Sequence, residues 1–205
     1  MMFRWSMLVF ISALVFTAAK GVSSSFWTSF SPADDQPATE PNYVEGADRG
    51  KPSEYASFAG GCFWGMEQSF RDQFGTKLKS TSVGYMGGSK ANPTYTEVST
   101  GTTGHAETVQ IEFFPDKVSY AQLCKFFFTK AHDPTTKNQQ GPDVGSQYRS
   151  VIFVHSDEQR KTAEEAKGEA QKEYSSPIVT EIVSAKHGDF WRAEKYHQLW
   201  GYKTH

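Results

Sequence analysis

Cys62 lies in the run Gly60-Gly61-Cys62-Phe63-Trp64-Gly65, after the strand-like stretch Tyr55 to Ala59 and ahead of a helix-like one. Phe63, Met66, Phe70 and Phe74 recur at helical spacing, so the thiol falls at a helix N-terminus, where free N–H groups and the helix dipole favour the thiolate. The expectation is a nucleophile that is reactive near neutral pH. Two glycines allow a sharp turn from strand to helix, and Phe63 and Trp64 set large apolar surfaces beside the sulfur, which suits a substrate with a small apolar group. Further along, loop residues Tyr95, His105, Glu107, His132, Asp133, Asp143 and Tyr148 supply acids, phenols and imidazoles. Together with an activated thiol they permit acid-assisted sulfur chemistry.

The elements that must hold these groups follow from hydrophobic periodicity. Strands are expected at 55–59, 79–86, 107–114, 150–155 and 179–185, and helices at 63–74, 119–131 and 157–174. Ser119-x-x-Gln122 and Ser156-x-x-Gln159 read as capping boxes. The opening β-α-β-β-α-β order fits a split βαβ, ferredoxin-like core, so the fold class is α+β, a mixed sheet with helices packed on one face. Two long loops, 87–105 and 132–148, are expected to be functional because structureless stretches of that length are unusual in a compact domain. Phe190 to Tyr202 reads as a short aromatic helix and an irregular tail.

At 205 residues the chain holds one domain, given about 150 residues per domain. Sixteen Phe, nine Tyr and five Trp make an aromatic core and an aromatic-walled pocket easy to build. The net charge of −2 and the lack of a basic cluster exclude nucleic acid and an anionic membrane surface as obvious partners. Arg4 followed by the apolar run Trp5 to Ala19, with Thr17-Ala18-Ala19 at its end, reads as a secretory signal (residues 1–19), too short for the roughly 20 residues of a spanning helix. A signal anchor and a mitochondrial presequence are the alternatives. Residues 20–52, rich in Ser, Pro, Asp and Gly, read as a flexible leader, and 53–205 as the catalytic domain of a secreted monomer that does not sit in a membrane once mature. Only Cys62 and Cys124 are present, so no disulfide framework supports the fold.

The motifs Gly61-Cys62-Phe63-Trp64-Gly65, Gly84-Tyr85-Met86-Gly87-Gly88, Gly104-His105-Ala106-Glu107, His132-Asp133-Pro134-Thr135, Gln140-Gly141-Pro142-Asp143, Gln147-Tyr148-Arg149-Ser150 and Ala193-Glu194-Lys195-Tyr196-His197-Gln198 resemble the successive signatures of A-type peptide methionine sulfoxide reductases. The resemblance covers nearly all of the chain after Tyr55. It implies that Cys62 attacks the sulfinyl sulfur of methionine S-sulfoxide, free or in proteins, and that Glu107, kept protonated by burial, delivers a proton to the oxygen. It also implies that Tyr95 and Tyr148 hydrogen-bond that oxygen, that Asp143 orients water or neighbouring groups, and that Phe63 and Trp64 hold the terminal methyl. No metal or organic cofactor is implied. The sulfenic acid left on Cys62 would be reduced by an external thiol such as thioredoxin, glutaredoxin with glutathione, or a dithiol.

Members of that family commonly carry resolving cysteines in a C-terminal tail, and Trp191 to His205 contains none. Cys124 shares a helical stripe with Tyr120, Leu123, Phe127 and Ala131, which reads as a core residue rather than a resolving thiol. Three rival functions remain open on the residues alone. One is a thiol hydrolase or acyltransferase using His105 or His132 as base, another a metal site of His105, Glu107, His132 and Asp133, and the third a non-catalytic binder of oxidised peptides. His105, His132 and His197 are otherwise expected to be structural.

Overall fold

The structure, a computed structural model, describes residues 33–203, and the run expected to be a signal lies outside them. Its sheet is built on β2 (Glu54–Ala59), β3 (Leu78–Met86), β4 (Ala106–Phe113) and β7 (Val151–Val154). They stand in the order β3-β4-β2-β7, every neighbour antiparallel, with α1 (Phe63–Phe74) between β2 and β3 and α3 (Tyr120–Phe126) between β4 and β7. This is the expected split βαβ plan. After β7, α4 (Asp157–Gln171) returns the chain to β8 (Glu181–Ser184), which pairs parallel with β7 and makes the sheet mixed.

Strand alternation decides which face is which. Ala56, Phe58, Val109, Ile111, Phe113, Ile152 and Val154 turn to one side and pack with Met66, Phe70 and Phe74 of α1, Leu123 and Cys124 of α3, and Ala163 and Ala170 of α4. The opposite side carries a smaller apolar cluster of Ala59, Met86, Ala106, Val151 and Phe153, covered in part by Phe190. Helices thus cover one face, as expected.

Local differences from the sequence expectation have local causes. The helix expected to run to residue 131 is α-helical only through Phe126 and then widens into a π turn, Phe127–Ala131, where the His132 ring bonds the Phe127 carbonyl at 2.9 Å. The Ser119 capping box is complete. At Ser156 only half forms, because the Gln159 side chain accepts from the His155 N–H and donates to the Tyr55 carbonyl instead of turning back on Ser156. The long loop 87–105 holds a short helix, α2 (Tyr95–Ser99), with its own Thr94/Glu97 capping box, and 132–148 holds a small hairpin, β5 (Gln139–Gln140) with β6 (Asp143–Val144).

Both ends of the described chain converge on the outer edge of β3. Within the segment expected to be a flexible leader, β1 (Asn42–Tyr43) pairs with Ser80 and Thr81, docked by its backbone rather than by any apolar pattern. The tail forms β9 (Trp191–Arg192) on Gly84 and Tyr85, where an expected helix gives way to a strand and two 3₁₀ turns, Lys195–His197 and Trp200–Tyr202. Gly84 permits this, since a Cβ there would lie 2.3 Å from the Trp191 carbonyl oxygen. Between the two short strands the Gln198 amide mimics a strand, accepting from the Val83 N–H at 3.1 Å and donating to the Val83 carbonyl at 3.0 Å. Leader and tail also join each other, with the Ala38 N–H on the Ala193 carbonyl and the Lys195 N–H on the Gln36 carbonyl.

Candidate active site

Cys62 caps the N-terminus of α1, and its carbonyl accepts the Met66 N–H. The sharp entry depends on Gly61, at φ +98°, where a Cβ would come within 2.6 Å of Gln140. The β5–β6 hairpin therefore lies directly against the backbone ahead of the thiol, and brings Asp143 with it. From β4, the Glu107 carboxylate accepts the Phe63 N–H at 3.0 Å and is only 3% exposed. Burial, helped by the nearby Asp143 and opposed by the Phe63 N–H, pushes its pKa up to about 8. A carboxyl group in that state keeps its proton at neutral pH.

The thiol behaves differently from the sequence expectation. Burial, and next the charge of Glu107, push Cys62 up to about 11, outweighing the stabilising N–H groups of Trp64 and Gly65. A helix start alone does not make a resting thiolate when the sulfur is largely out of water. Because Glu107 is itself protonated below about pH 8, its repulsion of a thiolate is absent there.

Tyr95 opens α2, and Tyr148 closes the 3₁₀ turn Ser146–Tyr148. Two contacts stitch these loops together, Gln147 Nε2 to the Ser99 carbonyl and Ser146 Oγ to the Gly101 carbonyl, while Arg149 ties the turn to Gly104 just ahead of β4. Burial raises the pKa of both phenols, with further upward contributions from Glu107, Asp143 and Cys62. The structure thus brings Cys62, Glu107, Tyr95, Tyr148 and Asp143 within electrostatic reach of one another. Phe63 is buried at the floor of this group and Trp64 half-exposed at its side.

A thiol, a protonated carboxyl group and two neutral phenols within electrostatic reach of one another can attack an electrophilic sulfur and protonate its oxygen. The comparisons with known proteins agree. A family model described as peptide methionine sulfoxide reductase matches residues 54–205. The chain belongs to that family. The MsrA reductases of Methanoculleus marisnigri and Methanothermobacter thermautotrophicus are each 54% identical to it, over 150 and 147 residues, covering 72% and 71% of this chain and 88% and 84% of those proteins. Reduced Mxr1 from Saccharomyces cerevisiae superposes with a TM-score of 0.68 at 36% identity, covering 75% of this chain and 86% of that one. Methionine sulfoxide reductase A of Corynebacterium diphtheriae gives 0.66 at 33%, covering 84% of each. This peptide methionine sulfoxide reductase reduces methionine sulfoxide to methionine and is recycled by thiols.

The rival bases are occupied in this reductase. His105 Nδ1 accepts the Gly88 N–H at 3.1 Å and its Nε2 bonds the Lys90 carbonyl at 2.8 Å. His132 spans the Phe127 carbonyl and Ser150 Oγ, and burial lowers its pKa to about 4. Among the described residues, no group of three or more His, Cys, Asp and Glu side chains could hold a metal ion. Asp133 caps its own turn through Thr135. Cys124 is fully buried in the main core and pushed up to about 12 by burial.

Sequence reasoning missed how much of the reductase site the tail supplies. His197 is buried against Phe63, Trp64, Tyr95 and Tyr196, at ring separations of 5.1, 5.5, 4.4 and 4.0 Å, and its Nδ1 accepts the Trp64 indole N–H at 3.0 Å. Burial holds its pKa down at about 4, so it is a neutral acceptor that fixes the indole. Trp200 stacks on Trp64 at 4.2 Å. The density of aromatic residues between Phe190 and Tyr202, read from the sequence as a segment to pack over the sheet or a site, is the signal of this packing, without the individual contacts.

Proposed function

We propose that this reductase works through a sulfenic acid on Cys62, with the S epimer of methionine sulfoxide as substrate. Cys62, as thiolate, attacks the sulfinyl sulfur while Glu107 gives its proton to the departing oxygen, and Tyr95 and Tyr148 donate hydrogen bonds to that oxygen. The new sulfur–sulfur bond and the substrate S–O bond then break as the protonated oxygen passes to the Cys62 sulfur, so the substrate sulfur gains the two electrons that the Cys62 sulfur loses, and methionine leaves as the thioether. Phe63 and Trp64 hold the terminal methyl, and Asp143 orients water and neighbouring groups. The observation that carries this reading is the Glu107 carboxyl, buried, bonded to the N–H next to Cys62, and protonated below about pH 8.

Recycling falls to an external thiol. It attacks the Cys62 sulfur, releases water and forms a mixed disulfide that a second thiol resolves. Burial of Cys124 in the core supports a reductant that supplies both thiols itself. Yeast Mxr1 has been solved in complex with Trx2, at 28% identity and a TM-score of 0.52 to this chain, covering 78% of it and 91% of Mxr1, which supports a thioredoxin-type reductant here; glutaredoxin with glutathione is the monothiol alternative. The enzyme is read as a monomer that needs no metal or organic cofactor. Its address is read as the secretory pathway from Arg4 and the run Trp5 to Ala19, and an N-terminus near residue 20 on the secreted protein tests that.

The deciding experiment is turnover of separated sulfoxide epimers with a dithiol and with a monothiol. Release of methionine from the S epimer alone is expected, and Cys62→Ser should release none while its circular dichroism is unchanged. Turnover by that variant would remove Cys62 from the chemistry.

A further inference from the structure

The tail carries a second buried carboxylate beside the site. Glu194 is 6% exposed, and its two oxygens are spoken for by different elements: Oε1 accepts the Tyr95 N–H at 2.8 Å, and Oε2 accepts the Tyr85 hydroxyl at 2.7 Å. Its backbone is held equally firmly, by a bridge to Pro37, by the Ala193 N–H on the Val83 carbonyl, and by the Lys195 N–H on the Gln36 carbonyl. Tyr95 is the first residue of α2, so its N–H is one that a helix start leaves unpaired, and the Thr94 capping box satisfies Glu97 instead. Glu194 therefore fixes the start of this five-residue helix together with the Thr94/Glu97 capping box, from 99 positions away in the chain.

We propose that Glu194 is a positioning residue for Tyr95. It sets the phenol over Cys62 and Glu107, while touching neither substrate nor reacting atoms itself. The inference rests on the reading that Tyr95 bonds the sulfoxide oxygen. Reach rather than charge is what the geometry requires, since the carboxylate has to span Tyr85 and the α2 start together. Glutamine spans the same gap, with its oxygen accepting from Tyr95 and its amide donating to the Tyr85 oxygen. Aspartate keeps the charge and falls short.

The test is single-turnover methionine release by Glu194→Gln, Glu194→Asp and Glu194→Ala, each alone and combined with Tyr95→Phe, alongside thermal unfolding. Glu194→Gln should stay within about threefold of wild type, and Glu194→Asp should lose about 10–100-fold, the scale of a misplaced catalytic group. Combined with Tyr95→Phe, the Asp variant should be no slower than the slower single variant, because both changes remove one function. A merely structural carboxylate would lower the melting temperature and give losses that multiply. Multiplying losses, or a Gln variant as slow as the Asp one, would overturn the proposal. Those two variants keep the test intact if Glu194→Ala does not fold. An unimpaired Tyr95→Phe would instead strike out the role of Tyr95 in the reaction, and the positioning role with it.

Discussion

Glu107 and Glu112 stand on the same strand, both buried, and meet opposite fates. Glu107 faces the helices and the site, where among the described residues its one hydrogen-bond donor is the Phe63 N–H and no cation pairs with it, and its pKa rises to about 8. Glu112 faces the other way. Burial pushes its pKa up too, but Ser53 at 2.6 Å, Lys79 at 3.0 Å and Ser80 at 2.9 Å together pull it below the usual carboxylate value. Burial alone does not make an acid. What separates the two is whether burial comes with a cation and hydroxyls, so β4 is a scaffold on one face and an acid on the other.

The largest way to break this contrast is Glu107→Gln, which keeps the shape and removes the proton. Single-turnover methionine release should fall about 10²–10⁴-fold, the usual worth of a general acid. An unchanged rate would contradict the assignment. Stability should move the other way at high pH. The folded pKa of about 8 lies above the unfolded value of about 4.3, so the native state holds a proton that the unfolded state has lost, and wild-type stability declines between those values and on through pH 8. Urea midpoints from pH 5 to 9 should show that decline in wild type and a flatter profile in the Gln variant. Wild-type single-turnover rates should also lose the contribution of the acid above about pH 8, whatever the thiolate gains there.

Lys79→Met attacks the other face. Glu112 keeps Ser53 and Ser80 but loses its cation, and stability should drop by roughly 1.5–3 kcal/mol, the range for hydrogen bonds to charged groups. With Glu112 depressed, its contribution is present above the unfolded value and lost as the pH falls through the folded one, the reverse of Glu107. Methionine release should be untouched; a slowed chemical step would mean the two faces are coupled. The smallest effect is expected from Cys124→Ala, about 1 kcal/mol for a small core cavity. Mass analysis after one turnover without reductant should find a sulfenic acid on Cys62 in that variant and in wild type alike, and a Cys62–Cys124 disulfide in wild type would reverse the reading of the core thiol.

The repeating parts of the fold were legible because burial writes them into the sequence. The Phe63, Met66, Phe70, Phe74 stripe and the alternation in β4 gave α1 and the sheet core their places. Two-residue strands such as β1 and β9 have no room for a period, and α2 is a single short turn, though Thr94-x-x-Glu97 was a capping signal that could have revealed it. Residue types pointed to Cys62 as nucleophile, but only the likeness of the motifs gathered Glu107, Tyr95, Asp143 and Tyr148 around it. The ionisation of Cys62 was misjudged because sequence shows a helix start and hides the depth at which the sulfur sits. The motif holding Glu194 and His197 was visible, but their contacts with Tyr95, Tyr85 and Trp64 were not, because those partners lie far away in the chain.

The coverage of β3 has a consequence for solubility. An uncovered outer edge of nine residues would offer its amides and carbonyls as a template for a strand from another molecule, the geometry from which aggregates grow. Here β1 takes its first part, β9 its last, and the Gln198 amide the gap at Val83. The tail segment that packs against Trp64 and Tyr95 thus also helps to deny that edge to a stray chain.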